Sequence, residues 1–180
     1  MSALLAGANL LTKEKIAQNS ALAEQKALAE VIVAERFALT NGLALIDFEE
    51  AITAAYVAMD GKTVAGYCFK VTSAGYGGAM ELIFGVDTDL KITGVSVLSH
   101  GETAGLGANI TKEEFRNQFV GKKEIADVVK SGAKENEIQA LSGATVSSKA
   151  VARGADTALA AAAYLNMFPA DELIVKEAVK

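Results

Sequence analysis

The sequence has few of the residues that build disulfides, metal sites and nucleic-acid-binding surfaces. Its 180 residues include one cysteine, Cys68, one histidine, His100, and no tryptophan. A single cysteine excludes an internal disulfide and a cysteine-based metal site. A single histidine excludes a histidine-rich metal site and leaves a Ser-His-Asp mechanism possible only through His100. The net charge of −5 and the absence of a basic run argue against nucleic acid as a partner.

Long hydrophobic runs are also missing. The apolar start of the chain, Met1–Leu11, is well short of the roughly 20 residues that cross a bilayer. It also lacks the basic region of a signal peptide. Two interpretations stay open at this point: a soluble protein, or a chain that begins where a membrane helix ends.

The first part of the chain has the composition of a helix. From Thr12 to about Arg36 the sequence is rich in Ala, Lys, Glu and Gln, which are good helix formers. Its apolar residues form an irregular stripe along one face. We therefore predict one long, partly exposed helix that leads into the domain.

The middle of the chain has the pattern of a sheet. Two apolar runs flank Asp60-Gly61, a dipeptide that strongly favours a hairpin turn. Two further runs follow at Met80–Val86 and Ile92–Leu98. Residues Ile52–Leu98 are therefore predicted to form a four-stranded, mainly antiparallel sheet.

Helices follow this sheet. Thr111 and Glu114 have the spacing of a capping box and predict a short helix. A final helix is predicted from Thr145 to about Asn166, and Pro169 marks the end of that region. The fold class is α+β, a mainly antiparallel sheet flanked by helices with a long N-terminal helix.

The start of the final helix, "LSGATVSS" from Leu141 to Ser148, has many hydroxyl groups and little bulk. Unpaired N–H groups and the helix dipole favour phosphate at such an end, provided that the backbone is accessible. Gly143 and Ala144 provide that access. The alternative is an ordinary capped helix, because Ser and Thr are common before helices.

A second small-residue segment, "HGETAGLG" from His100 to Gly107, leaves the last predicted strand. Three glycines in eight residues allow a ligand to approach the backbone closely. The alternative is a surface loop in which Glu102 is solvated. Together, the two segments could close over one phosphorylated ligand.

These two segments resemble the flavin-binding domain of the G subunit of the Rnf ferredoxin:NAD oxidoreductase complex. They are also similar to the C subunit of the sodium-translocating NADH:quinone oxidoreductase. The family pattern is Ser/Thr-Gly-Ala-Thr, with FMN esterified to the threonine, and an upstream His-x-Glu-Thr-Pro-Gly-Leu-Gly loop. The segment "GYGG", Gly75–Gly78, is similar to the family's glycine-rich turn. The resemblance extends over about Ala38–Asn166.

The resemblance implies a covalent FMN on Thr145. It implies that neighbouring small and hydroxyl residues hold the phosphate and that loop residues border the flavin ring. Tyr76 is a weaker ring candidate, and an edge aromatic without a flavin role is the favoured interpretation. The implied cofactor-binding residues are Thr145, Ser142, Gly143, Ala144 and Ser148 on the helix side, and Glu102, Thr103, Leu106 and Gly107 on the loop side.

The chain departs from the family pattern at two positions. Ala104 replaces the proline of the loop, which implies a more mobile loop, and Gln139 stands where the modification motif often has aspartate. Family members also carry an N-terminal membrane helix that places the domain outside the cytoplasm. The resemblance therefore implies residues 1–37 as an anchor remnant and lead-in helix and residues 38–180 as the FMN-binding domain, in a soluble, shortened form of a longer chain.

The function that the resemblance implies is an electron relay in an ion-translocating membrane oxidoreductase. It implies neighbouring proteins of that complex and a flavin transferase as partners, with no catalytic acid, base or nucleophile in the chain itself. Two alternatives stay open: a flavin domain of another extracytoplasmic reductase, or an assembly module with the same fold and no flavin.

Overall fold

A six-stranded antiparallel sheet forms the centre of the protein. The computed structural model describes the backbone of residues 2–40, 48 and 50–176, and the side chains of those residues except 2–14, 16, 17, 171, 175 and 176. The strands of the sheet are β1 (Arg36–Thr40), β2 (Ile52–Asp60), β3 (Thr63–Ala74), β4 (Ala79–Asp87), β5 (Ile92–Ser99) and β8 (Ile174–Lys176). Their order is β5-β4-β3-β2-β1-β8, and every neighbouring pair is antiparallel.

The predicted α+β class is confirmed, and so is the hairpin at Asp60-Gly61. Asp60 pairs with Thr63. Gly61 has a φ of 60°, in the left-handed region that glycine enters most readily. Strands β2 to β5 occupy the range predicted for the four-stranded sheet. Strand β1, which lies between β2 and β8, and the edge strand β8 were not predicted, because β1 follows a helix-like composition and β8 lies far from its partner in the sequence.

Helices surround the sheet. The first, α1, runs from Ser2 to Val31, and the longest one after the sheet, α3, runs from Thr145 to Leu165. The prediction of a helix continuing to Arg36 was wrong, because that residue begins β1. The remaining elements are a 3₁₀ helix (Gly107–Thr111), α2 (Glu113–Arg116), a parallel pair of short strands β6 (Asp127–Val129) and β7 (Glu137–Gln139), and α4 (Ala170–Leu173).

The predicted capping box before α2 was wrong. The residue before α2 is Lys112, and no side chain caps the helix. The Thr111 hydroxyl instead donates a hydrogen bond to the carbonyl of Ala108 at 2.9 Å. Thr111 therefore closes the 3₁₀ helix that precedes α2.

The sheet buries both of its faces. The larger core cluster lies between one face of the sheet and α3. It contains alanines of α3, such as Ala155 and Ala158, together with Phe69 and Phe84. Small helix residues allow a close approach to large strand residues, as a dense core requires. The other face carries Cys68 and packs against the last turns of α1. Successive side chains of a strand point to opposite faces of the sheet, so each strand contributes to both core clusters.

The end of α1 sits on two glycines that pair across β4 and β5, Gly85 and Gly94. A Cβ at Gly94 would lie 2.7 Å from the Cα of Val31, and one at Gly85 would lie 2.4 Å from the carbonyl oxygen of Val31. The same carbonyl accepts a hydrogen bond from the Thr93 hydroxyl. We call Gly85, Gly94 and Thr93 the helix socket.

Two polar clusters hold α1 on the same face. Glu24 accepts a hydrogen bond from the Tyr56 hydroxyl and pairs with Lys70 at 3.1 Å. Glu30 pairs with Arg116 at 2.6 Å and accepts a hydrogen bond from the Ser96 hydroxyl. The last two turns of α1 are therefore part of the folded domain. Within the described residues, no helix combines the length and the apolar composition needed to span a membrane.

Candidate functional site

Three segments enclose a cleft at one end of the sheet. They are the β3–β4 turn at Gly75–Gly78, the loop at His100–Gly107 that follows β5, and the start of α3. The cleft has a volume of about 510 Å³, within the usual range of roughly 300–1,000 Å³ for small-molecule sites. It is lined by Tyr76, Glu102, Thr103, Leu106, Gly107, Gly143, Ala144, Thr145, Val146 and Ser147.

Glu102 is the buried acid of this cleft, with 8% of its surface exposed. One carboxylate oxygen accepts a hydrogen bond from the backbone N–H of Gly77 at 3.0 Å. The other accepts a hydrogen bond from the hydroxyl of Ser147. Burial raises the pKa of the carboxyl, but hydrogen bonds from Ser147, Gly77 and Tyr76 outweigh it, so the pKa lies below its ordinary value. The carboxyl is therefore ionised at neutral pH.

Glycines leave the space that Glu102 fills. A Cβ at Gly75 would lie 2.2 Å from the first carboxylate oxygen, and one at Gly107 would lie 2.6 Å from the second. A Cβ at Gly77 would lie 2.0 Å from the carbonyl oxygen of Gly101, so the turn and the loop meet backbone to backbone. The glycines noted in the sequence thus serve mainly to bring these segments around one carboxylate.

The turn before α3 depends on the backbone conformation of Gly143 and on the hydrogen bonds of Ser148. Gly143 has a φ of 73°, which favours glycine. Ser148 is fully buried, accepts a hydrogen bond from the N–H of Leu141 at 3.0 Å and donates one to the carbonyl of Ala144 at 3.0 Å. No side chain caps the helix at Ala144, and its first turn carries no acidic residue. The helix start therefore presents N–H groups and a partial positive charge.

The four hydroxyls of this segment have different surroundings. Ser147 is 1% exposed and bonded to Glu102, while Ser148 is used inside the turn. Thr145 is half-buried and lines the cleft, and its hydroxyl has no hydrogen-bond partner among the residues that the structure describes. Ser142 is exposed and lies in a second hollow of about 400 Å³. That hollow is lined by Lys130, Gln139, Ala140, Leu141, Ser142, Gly143 and Thr145.

The structure brings seven of the nine predicted site residues to the lining of one cleft. They are Glu102, Thr103, Leu106, Gly107, Gly143, Ala144 and Thr145. The other two lie elsewhere, with Ser148 in the interior of the turn and Ser142 in the second hollow. Tyr76, the weaker ring candidate, is 75% exposed and lines the cleft.

Sequence reasoning missed Val146 as a lining residue and the bond between Ser147 and Glu102. Val146 is an exposed apolar side chain one position after Thr145. An apolar residue in the outward-facing first turn of a helix is the signal that could have identified it. The Ser147–Glu102 bond joins residues 45 positions apart, and nothing local in the sequence reports such a pairing.

Comparison with known proteins identifies the class of this site. Residues 75–160 match the FMN-binding domain family, a range that includes all three segments of the cleft. A solved structure, the C subunit of the Na⁺-translocating NADH-quinone reductase of Parabacteroides distasonis, is 30% identical with a TM-score of 0.53. The match covers 64% of this chain and 63% of that one. The three segments of the cleft therefore lie within the part of the chain that matches the FMN-binding domain family.

Individual relatives narrow the class further. The G subunit of the proton-translocating ferredoxin:NAD⁺ oxidoreductase complex of Clostridium ljungdahlii is 46% identical over 105 residues, 58% of this chain and 57% of that protein. The G subunit of the ion-translocating oxidoreductase complex of Methanosarcina acetivorans is 34% identical over 155 residues, 83% of this chain and 80% of that protein. The chain belongs to this family of G subunits of ion-translocating oxidoreductase complexes. It matches 57% of the length of the Clostridium relative and 55% of the length of an Acetobacterium woodii one.

Proposed function

We propose that this protein is an electron-transfer component of an Rnf-type ion-translocating oxidoreductase, with FMN bound covalently through a phosphoester at Thr145. The observation that carries the proposal is the hydroxyl of Thr145, which lines a cleft inside the FMN-binding domain and has no partner among the described residues. Ser147 and Ser148 beside it are buried and hydrogen-bonded. Of the four hydroxyls in this segment, Thr145 and the exposed Ser142 are therefore the accessible ones, and of these two Thr145 lines the cleft.

The shape and chemistry of the cleft fit FMN. Leu106, Val146 and Tyr76 offer apolar surface for a flat ring. The start of α3 offers N–H groups and a partial positive charge to a phosphate, and its first turn contains no acidic residue of its own. Lys130 shares the second hollow with Thr145 and adds a positive charge on that side. The ring would lie against the loop wall, which is formed by Glu102, Thr103 and Gly107.

The attachment step requires an activated flavin donor. Thr145 Oγ would form a bond to the phosphorus of the flavin half of a diphosphate-linked donor, the bond from that phosphorus to the bridging oxygen would break, and the other nucleotide would leave as a monophosphate while the hydroxyl proton passes to solvent. Neither partner is oxidised or reduced. The small residues Gly143 and Ala144 leave the hydroxyl accessible, and the second hollow reaches Thr145 as well. A flavin transferase is the proposed maturation partner.

Bound FMN supplies the redox chemistry of such a protein, and the chain supplies placement and electrostatics. The start of α3 would hold the phosphate, Leu106 and Val146 would flank the ring, and Glu102 would place one negative charge at the loop wall. We propose no substrate chemistry by the chain itself, in keeping with a relay between neighbouring carriers.

The names of the relatives support a proposal for partners and location. Relatives of this chain are named as subunits of ion-translocating complexes, so we propose the other proteins of a membrane complex as partners. We propose that residues 38–180, together with the last two turns of α1 and the start of β1 that pack with them, form the FMN-binding domain on the extracytoplasmic side. The part of α1 before Glu24 would connect this domain to the membrane.

Intact-mass measurement after co-expression with a flavin transferase tests the proposal. We expect the mass of one FMN on the wild-type chain and none on Thr145→Ala. Ser142→Ala is the matched control, since it removes the other accessible hydroxyl, and it should keep the flavin. Thr145→Ala should fold, because the Thr145 hydroxyl has no hydrogen-bond partner among the described residues and is not the cap of α3.

Two results would contradict the assignment. Flavin that persists on Thr145→Ala and disappears on Ser142→Ala would move the attachment to Ser142. A wild-type chain that acquires no flavin under conditions that modify a related G subunit would favour the assembly-module alternative. Retention of FMN without a covalent bond would support a carrier of a different kind.

A further inference from the structure

The residue that joins the two walls of the cleft is Glu102. We propose that Glu102 and Ser147 form a positioning pair that sets the spacing between the loop wall and the start of α3, and that the Glu102 carboxylate lowers the reduction potential of the bound flavin. This inference rests on the proposed function for its flavin half, whereas its structural half concerns the chain alone.

Glu102 connects segments that are remote in sequence. Its bond to the N–H of Gly77 spans 25 positions and its bond to Ser147 spans 45. Its own N–H donates to Nδ1 of His100 at 3.2 Å, which fixes the backbone of the loop near the carboxylate. One side chain thus links the β3–β4 turn, the loop after β5 and α3.

Two glycines pack closely against the carboxylate of Glu102. Gly75 lies against one oxygen and Gly107 against the other, so neither side has room for a methyl group. Gly107 would also place a Cβ 2.6 Å from the hydroxyl of Ser147. Because loop, carboxylate and helix hydroxyl pack directly on one another, displacement of the pair would move the residues near it, including Leu106 and Thr145 on opposite sides of the cleft.

Ser147 is suited to this role by its position on α3. It lies in the first turn, two residues after Thr145, and is 1% exposed. Its hydroxyl donates into the core of the site while Thr145 lines the cleft. The two hydroxyls therefore have separate roles: one is held by Glu102, and one is available for attachment.

The electrostatic half of the proposal follows from the ionised state of Glu102. The N–H of Gly77 and the hydroxyl of Ser147 both donate to the carboxylate, which favours its charged form at neutral pH. Reduction adds electron density to the ring, and a fixed negative charge beside it opposes that change, more strongly as water is excluded. Removal of the charge should therefore raise the midpoint potential.

A set of variants separates the effect of the Glu102–Ser147 hydrogen bond from the effect of the negative charge on Glu102. Glu102→Gln keeps an acceptor for Gly77 and a polar partner for Ser147 but loses the charge. Glu102→Ala loses both, and Ser147→Ala keeps the charge while it loses the bond from the helix to the loop. Glu135→Gln is the matched control, because it removes one exposed carboxylate from a residue that does not line the cleft.

Hydrogen exchange of the flavin-free chain tests the positioning half. We expect the Gly77 amide and the amides of residues 103–107 to exchange at least about tenfold faster in Glu102→Ala, since bonds to charged groups are among the stronger ones. Ser147→Ala should accelerate the hydrogen exchange of the amides of residues 103–107 but not that of the Gly77 amide. Glu102→Gln and Glu135→Gln should stay close to wild type. Unchanged exchange in Glu102→Ala would overturn the positioning role.

Redox titration of the flavin-loaded chain tests the electrostatic half. The midpoint potential should rise in Glu102→Gln, stay nearly unchanged in Glu135→Gln and shift less in Ser147→Ala than in Glu102→Gln. A wild-type potential in Glu102→Gln would overturn the electrostatic role. If no variant and no wild-type chain acquires flavin, the proposed function fails, and the exchange experiment still decides the positioning pair.

Discussion

The helix socket and the cleft are both lined by glycines, but different groups pack against these glycines. In the helix socket, Gly85 and Gly94 admit the backbone of α1 at Val31. In the cleft, Gly75 and Gly107 admit the carboxylate of Glu102. The first place is closed and buries a helix end, while the second is open and contains a hydroxyl with no partner among the described residues.

The difference shows what a glycine in a sequence does and does not indicate. Both sets of glycines mark a close approach, because a Cβ at any of them would meet an atom within 3 Å. Whether a backbone or a side chain packs against the glycine depends on the residues around it. Socket glycines lie inside strands, whereas cleft glycines lie beside a buried acid and a run of small and hydroxyl residues.

The largest effect is expected from blocking the socket. Gly94→Val would direct a branched side chain at the Cα of Val31, a backbone atom that cannot rotate away. We expect a loss in the free energy of unfolding at or above the upper end of the about 1–3 kcal/mol typical of overpacking, measured by urea denaturation. Gly94→Ala should lie between Gly94→Val and wild type, and covalent flavin loading should persist. Equal stability across the three would show that α1 does not need the socket.

A smaller effect is expected at the cleft. Gly107→Ala places a methyl group against the Glu102 carboxylate and the Ser147 hydroxyl, which are side-chain ends that can shift. We expect a loss of about 1 kcal/mol in the free energy of unfolding, at the low end for overpacking, together with altered flavin fluorescence. The comparison fails if Gly107→Ala destabilises the chain more than Gly94→Val or leaves the flavin spectra unchanged.

The smallest effect is a change in pH dependence. The folded pKa of Glu102 lies below the ordinary value of 4.5, so its contribution to stability is present above that pH and is lost as pH falls through the lowered value. The free energy of unfolding should therefore fall less in Glu102→Gln than in wild type between neutral pH and pH values below 4.5. Parallel curves in a urea series would contradict the lowered pKa.

Local patterns in the sequence were enough to predict part of the fold. Alternation and Asp60-Gly61 located β2 to β5, and the change from small residues to an alanine-rich run located the start of α3. The same reasoning missed β1 and β8, which depend on pairing between the two ends of the domain. It also extended the helix past Val31, because helix-forming composition continues there while the chain turns to join the sheet.

The candidate site shows the same limit. The motifs located both walls of the cleft, since each wall is a continuous segment. The separate uses of Ser147 and Ser148 could not be predicted, because the pattern "TVSS" treats the two hydroxyls alike. Their difference arises from helix geometry, which turns one toward Glu102 and the other back toward Ala144.

The helix socket also makes α1 a lever arm. The helix has 30 residues from Ser2 to Val31, and at a rise of about 1.5 Å per residue it is about 45 Å long. The last two turns are held on the sheet by Glu24 and Glu30, so about 33 Å of the helix, Ser2 to Ala23, extends from this seat. A tilt of about 10° at the seat would displace the far end by about 6 Å over that length. The position of that end therefore depends on how firmly the two paired glycines and these two acidic residues hold the last turns of α1.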